Sequence, residues 1–287
     1  MRIVHFSDIH AGGIIRSPQG LVDKRLFGMC NHVMRRMWSR RWERVGRAIT
    51  RIKLLEPDVV VCTGDLTTIS EPAEFEIAQN ALRPLVDDIR FEFLFVPGNH
   101  DHYVKSKAAQ NSLESTFRFM MRNRWSLSDL PLSYDIQGCR FLLINQACPV
   151  PFYLSSGRLE EDTVSFLEKH FEDDDAKPRI LLNHFPVYDS AGKEQSFRRR
   201  CHNNDVLKSA FKDAKLDLAL CGHIHRPFIR KDASGVTEIC AGSLTFSGMF
   251  NLIDFKPETR EYSQSWINVD IDEKAPTPPQ AATAFSS

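Results

Sequence analysis

The chain carries no excess charge of either sign: 37 lysines and arginines offset 37 aspartates and glutamates over 287 residues. That balance excludes a globally basic nucleic-acid binder and a globally acidic, unfolded chain. Long apolar runs are also missing. None approaches the roughly 20 residues that a membrane-spanning helix needs. The seven cysteines (30, 62, 139, 148, 201, 221 and 240) are odd in number and form no C-x-x-C pair. They are expected to be reduced thiols of a cytosolic protein rather than a disulfide framework. No internal repeat occurs. The first residues read as a strand and lack the basic-then-apolar layout of a secretory signal.

What is there suits a packed protein, since a hydrophobic fraction of 42% with 10% aromatics is enough for a sizeable core. Arg2–Ser7, Val59–Cys62, Phe91–Val96, Cys139–Ala147, Arg179–Leu182 and Leu216–Cys221 read as strands. Several are continuous apolar runs, the pattern of strands buried on both faces. Helical spacing occupies Glu71–Val86, Asn111–Arg122, Glu160–Phe171 and Asn203–Ala214. Then the rhythm changes. Phe228–Arg230, Thr237–Ala241, Met249–Phe255 and Glu261–Asp270 are short strands without helices between them, expected to extend a second, antiparallel sheet. The fold class is therefore α/β turning to antiparallel β, with a single domain over 1–271. The Pro/Ala/Thr-rich residues 272–287 are expected to be a disordered tail.

Five short segments each follow a strand: Asp8-Ile9-His10, Gly64-Asp65, Gly98-Asn99-His100-Asp101, Asn183-His184 and Gly222-His223-Ile224-His225. Carboxyl ends of strands form the ligand crevice of α/β sheets, so these segments are expected to pool their side chains. Residues i and i+2 of an extended strand point the same way, which would let Asp8 and His10, or His223 and His225, share an ion. Carboxylate and imidazole donors without thiolate suit Zn, Mn, Fe or Co. Asp8, His10, Asp65, Asn99, His184, His223 and His225 are too many for one tetrahedral ion. Two ions with a bridging carboxylate would use them all, and paired metals are a device for splitting phosphate esters.

The set resembles the calcineurin-like metallophosphoesterase family, whose pattern is D-x-H, G-D, G-N-H-[DE], H and G-H-x-H. Every element is present in order from Asp8 to His225. The resemblance implies a four-layer αββα sandwich of two packed sheets flanked by helices. It implies one ion on Asp8, His10, Asp65 and His225 and a second on Asp65, Asn99, His184 and His223, with Asp65 bridging. It also implies a catalytic His100 just outside the metals, oriented by Asp101, and hydrolysis of a phosphodiester by in-line attack of a metal-bridging hydroxide.

Substrate choice is carried elsewhere. Residues 21–47 form a basic amphipathic insertion, and from Lys24 to Lys53 ten basic residues face one acid, Glu43. Two readings stand for it: a helix lying on an anionic membrane or lipid-like substrate, or one that packs on the sheet and leaves its arginines in water. Arg198, Arg199 and Arg200 are candidates to hold a second phosphate or a nucleotide, and His102 and Tyr103 to line the pocket rim. Bacterial branches of the family with similar segments are the class III cyclic-nucleotide phosphodiesterases, which share a Gly-Asp-Leu-Thr run (here Gly64–Thr67), and the UDP-2,3-diacylglucosamine pyrophosphatases. A nuclease or nucleic-acid-binding protein is the reading from another class, and a membrane-associated metal-binding protein without turnover is a third. The expected partner is a small phosphodiester or nucleotide-type substrate, in the cytoplasm, with peripheral membrane contact through 21–47 as the further expectation.

Overall fold

Runs such as Val59-Val60-Val61-Cys62 have no polar alternation, so they are stable only where both faces are covered. In the computed structural model, which describes residues 1–12, 42–151, 153–173 and 175–271, all four are fully buried. The elements run β1 (Arg2–Phe6), α1 (Glu43–Leu54), β2 (Val59–Cys62), α2 (Pro72–Val86), β3 (Glu92–Phe95), α3 (Lys107–Met120), β4 (Leu132–Ile136) and β5 (Cys139–Leu143). They continue as β6 (Gly157–Arg158), α4 (Glu161–Glu172), β7 (Arg179–Leu182), β8 (Cys201–His202), α5 (Asp205–Lys212) and β9 (Leu218–Cys221). The last are β10 (Phe228–Lys231), β11 (Thr237–Cys240), α6 (Leu244–Ser247), β12 (Met249–Lys256) and β13 (Glu261–Asn268).

Two mixed sheets result, in the orders β13-β12-β1-β2-β3 and β10-β11-β9-β7-β5-β4. Their stacking follows from the period of two. Phe141 and Leu143 of β5, Ile180 and Leu182 of β7, and Leu218 and Leu220 of β9 share one face of the second sheet and one core with the first. The intervening Leu142, Leu181 and Ala219 point the other way, onto Leu167 and Phe171 of α4 and Leu207 and Phe211 of α5. On the far side of the first sheet, Val45, Ala48 and Ile52 of α1 and Ala78, Leu82 and Leu85 of α2 complete the expected helix–sheet–sheet–helix layers.

The late strands depart from expectation. They do not extend one antiparallel sheet. β11 runs parallel to β9 and only β10 pairs with it antiparallel. After the short α6 the chain crosses back, and β12 pairs antiparallel with β1. Apolar patterning marks a strand but not its partner. Ser106 starts α3 earlier than periodicity suggested, its hydroxyl accepting from Ala109 N.

Most of the basic insertion and the tail 272–287 lie outside the described residues. Of the insertion only 42–47 are described, and there the arginines pair with other parts of the chain. Arg44 donates to the carbonyls of Thr245 and Phe246, and both Arg44 and Arg47 pair with Asp270. Among the described residues no helix is long and apolar enough to cross a membrane, and nothing there supports a membrane contact. The six described cysteines are free.

Candidate metal centre

β1, β2 and β3 of the first sheet and β7 and β9 of the second deliver their carboxyl ends to one place, and the five motif segments meet there. His10 Nε2 lies 2.9 Å from His225 Nε2, His225 Nε2 3.1 Å from Asp8 Oδ1, and His184 Nε2 3.4 Å from Asp65 Oδ2. Asn99 Oδ1 lies 2.9 Å from His223 Nδ1 and 3.2 Å from His184 Nε2.

Strand alternation is not what aims these side chains. All follow the last strand residue, and Asp8, His10, Asp65, His223 and His225 have left-handed backbones, with φ of 56°, 48°, 54°, 70° and 56°. Such a conformation costs a side-chain-bearing residue about 1–2 kcal/mol, so the surroundings must fix it. They do: Asp8 N donates to Gly64 O, His10 N to Asp65 O, His223 N to Asp8 Oδ2, and Ser243 Oγ to Asp8 O. Close approach dictates two glycines. A Cβ on Gly64, at φ +98°, would stand 2.5 Å from Gly98 N, and one on Gly222 would collide with Ser7 Oγ and Asp8 Oδ2.

Four rings are locked by main-chain carbonyls. Nδ1–H donates to Thr67 O in His10 (3.0 Å), to Thr63 O in His184 (2.6 Å) and to Thr68 O in His100 (2.6 Å). In His223 it is Nε2–H that donates, to Arg199 O at 3.0 Å. A carbonyl only accepts, so each bond fixes the tautomer and turns the other nitrogen's lone pair inward. His225 stacks on Phe246 instead, with centroids 5.4 Å apart.

Lone pairs therefore converge on lone pairs. Asp8, His10, Asp65 and His225 offer donor atoms all within 4.8 Å of one another. Asp8 Oδ1 and Asp65 Oδ2 are buried without a well-formed hydrogen bond. Asp65 Oδ2 lies 3.9 Å from His10 Nε2 as well as near His184, so one oxygen faces both groups of ligands. Buried anionic oxygens and inward nitrogens demand positive charge between them. Proton affinities agree. Burial opposes charging His184, yet the charge and hydrogen bond of Asp65 take it up to about 10. Burial likewise opposes ionising Asp8, but His10 and His225 hold it well below the carboxylate range. The donor set fits divalent cations.

His100 stands beside this cluster, edge-on to His10 with centroids 4.9 Å apart and parallel to the Tyr103 ring at 5.4 Å. Its orienting partner is Thr68 O rather than Asp101. The Asp101 carboxylate accepts from Gly98 N and Thr67 N, tying the loop after β3 to the residue whose carbonyl holds His10. Burial, with the nearby charge of Asp65, pushes Asp101 up to about 7. His102 Nε2 approaches Asn145 Nδ2 at 3.5 Å. Arg198 and Arg199 are exposed, while Arg200 pairs with Glu194 and lies over Phe197. The carbonyls of Thr63, Thr67, Thr68 and Arg199 were invisible to motif reading, because any residue supplies one.

The sequence profile described as calcineurin-like phosphoesterase matches residues 1–227. Among curated proteins, the chain is 27% identical over 182 residues to a glycerophosphodiester phosphodiesterase of Enterobacter lignolyticus, covering 59% of this chain and 56% of that one. It is 22% identical over 226 residues to a cAMP/cGMP dual specificity phosphodiesterase of Mycobacterium tuberculosis, covering 78% and 61%. The chain thus spans less than two thirds of these relatives' length. A dimetal phosphatase from Danio rerio has the same fold, with a TM-score of 0.60 at 14% identity over 88% of this chain and 92% of that one.

Proposed function

Because the chain belongs to the calcineurin-like phosphoesterase family, we propose that it is a dinuclear metal-dependent phosphodiesterase. The observation that carries this reading is the pair of buried carboxylate oxygens, Asp8 Oδ1 and Asp65 Oδ2, without hydrogen-bond partners and facing histidines whose outer nitrogens are committed to carbonyls. One ion would be held by Asp8, His10, Asp65 and His225, and the other by Asp65, Asn99, His184 and His223. Oxygen and imidazole donors suit Mn, Fe or Zn. Such ions, when bound, supply Lewis-acid stabilisation of phosphate charge and hydroxide near neutral pH.

The chain's own groups do the rest. Carbonyl-locked rings keep the ligands preorganised, so no reorganisation is needed as charge develops on phosphate. His100 Nδ1–H is engaged with Thr68 O, so Nε2 is the atom that exchanges a proton with the leaving oxygen. Burial takes His100 down to about 4, and an anionic diester beside the ring works in the opposite direction. Names of the relatives point to diesters as the substrate class.

The test is hydrolysis of bis(p-nitrophenyl) phosphate with added Mn, Fe or Zn. His100→Ala is expected to keep its metal and lose roughly 10²–10⁴-fold in turnover. Asp65→Ala is expected to lose metal and activity together, read by metal analysis and rate. Wild-type protein inert with all three metals, or an Asp65→Ala variant that still binds two ions tightly, overturns the reading.

A further inference from the structure

β13 forms one edge of the first sheet, and the hydrogen-bond register decides which of its groups are left over. Phe255 N donates to Met1 O and Phe255 O accepts from Met1 N, so Phe255, Ile253 and Asn251 of β12 face β1. Their neighbours on β13, Tyr262, Gln264 and Trp266, therefore turn their own N–H and C=O outward. No described residue meets these groups. Asn268 O, next along the same edge, is taken by Arg51. Sheet edges are commonly blunted by shortness, charge, proline or a bulge. The other edges obey: β3, β10 and β4 have 4, 4 and 5 residues and carry Glu92, Arg230 with Lys231, and Asp135. β13 does not. It has 8 residues, pairs with β12 without a break, and beyond Glu261 holds neither charge nor proline.

The open stretch is also a near-palindrome, Tyr262-Ser263-Gln264-Ser265-Trp266. We infer that β13 is a dimer interface, pairing antiparallel with β13 of a second copy about a two-fold axis at Gln264. The palindrome is what selects a second copy as the occupant, because that axis sets like against like. Tyr262 meets the partner's Trp266, Ser263 the partner's Ser265, and Gln264 the partner's Gln264, while about six backbone hydrogen bonds form. Glu261 meets the partner's Ile267, so no like charges stand opposite one another. Tyr262 Oη bonds Thr237 Oγ1 of β11, and the Tyr262 and Trp266 rings pack half-buried on the core. The cross-strand ring pairs thus continue the layer between the two sheets. Gln264 Nε2 is buried without a hydrogen-bond partner. The partner's Gln264, directly opposite, brings an amide that both donates and accepts. The pairing is independent of the reaction proposed above.

Sedimentation equilibrium of the full chain at micromolar concentration is expected to give twice the chain mass. Three substitutions at the axis test the register. Gln264→Pro removes an outward N–H and leaves the bonds to β12 intact. Gln264→Lys and Gln264→Glu each set like charges opposite one another and keep the backbone donor. Each is expected to weaken the dimer at least about tenfold while keeping the far-ultraviolet circular dichroism of the wild type. Gln264→Lys mixed with Gln264→Glu is expected to dimerise again. Hydrogen exchange reads the edge itself: the amides of Tyr262, Gln264 and Trp266 are expected to be protected in the dimer and to exchange on dilution. A monomeric wild type overturns the inference, protected amides then marking a segment of the same chain on the edge and unprotected ones an empty edge. A dimer indifferent to all three substitutions places the interface on another face and overturns it as well.

Discussion

His5 lies three residues before Asp8, fully buried, with Nε2 bonded to Thr63 Oγ1 and Nδ1 without a partner. Burial, opposed only by the charge of Asp8, takes it from 6.5 down to about 3. Below pH 6.5 the unfolded chain binds this proton while the folded chain refuses it down to about pH 3, so stability falls with pH across that window. At pH 5 the loss is about 2 kcal/mol. His5→Gln is expected to flatten the pH dependence of the urea midpoint between 6.5 and 4, and an unchanged slope would show that His5 is not the cause. Asp8 and Asp65, whose carboxyls are held low, lose their contribution only below 3.8. Residue identity was the legible part of the site: seven ligand candidates and His100 all reach one cluster. Their aim was misread, because left-handed turns after the strands, not alternation along them, set the direction.

Among the elements, β11 has a role that its sequence hid. Glu238 sits on it fully buried, and its carboxylate accepts from Val187 N and Tyr188 N, just beyond His184. Arg230 of β10 reaches the same carboxylate at 3.5 Å and lies over the Tyr188 ring. The chain leaving β7 is thus held by the neighbouring strands. Glu238→Ala strands two amides and removes one of the two carboxylates beside Arg230, leaving Asp232 at 2.9 Å, and is expected to cost about 2–3 kcal/mol, read from the shift of the denaturation midpoint. A shift below 1 kcal/mol would mean that packing alone holds the loop. Strands such as Val59–Cys62 were legible because a four-residue apolar run has few other fates. The return of β12 to β1 was not, because alternation records which face is buried and never which strand lies alongside.

For the whole molecule, the two sheets act as jaws whose inner ends carry the ligands, so cation binding is expected to cross-link them. With Mn at about 100 times its dissociation constant the gain is about 2.7 kcal/mol, a rise of roughly 4–5 °C in melting temperature for a chain of this length. Circular dichroism melts before and after chelation, then after adding Mn back, check this. An unchanged melt would mean that the jaws close without the ion. The pairing of β1 has a further consequence for biosynthesis. One edge of β1 finds β2 after about sixty residues, but the other waits for β12, which begins at residue 249. At ribosomal speed that interval lasts roughly 10–40 s. Throughout it the nascent chain displays an open, apolar strand edge, with Asp8, His10 and Asp65 already made and His225 still to come. Such an edge invites pairing with other chains until β12 covers it.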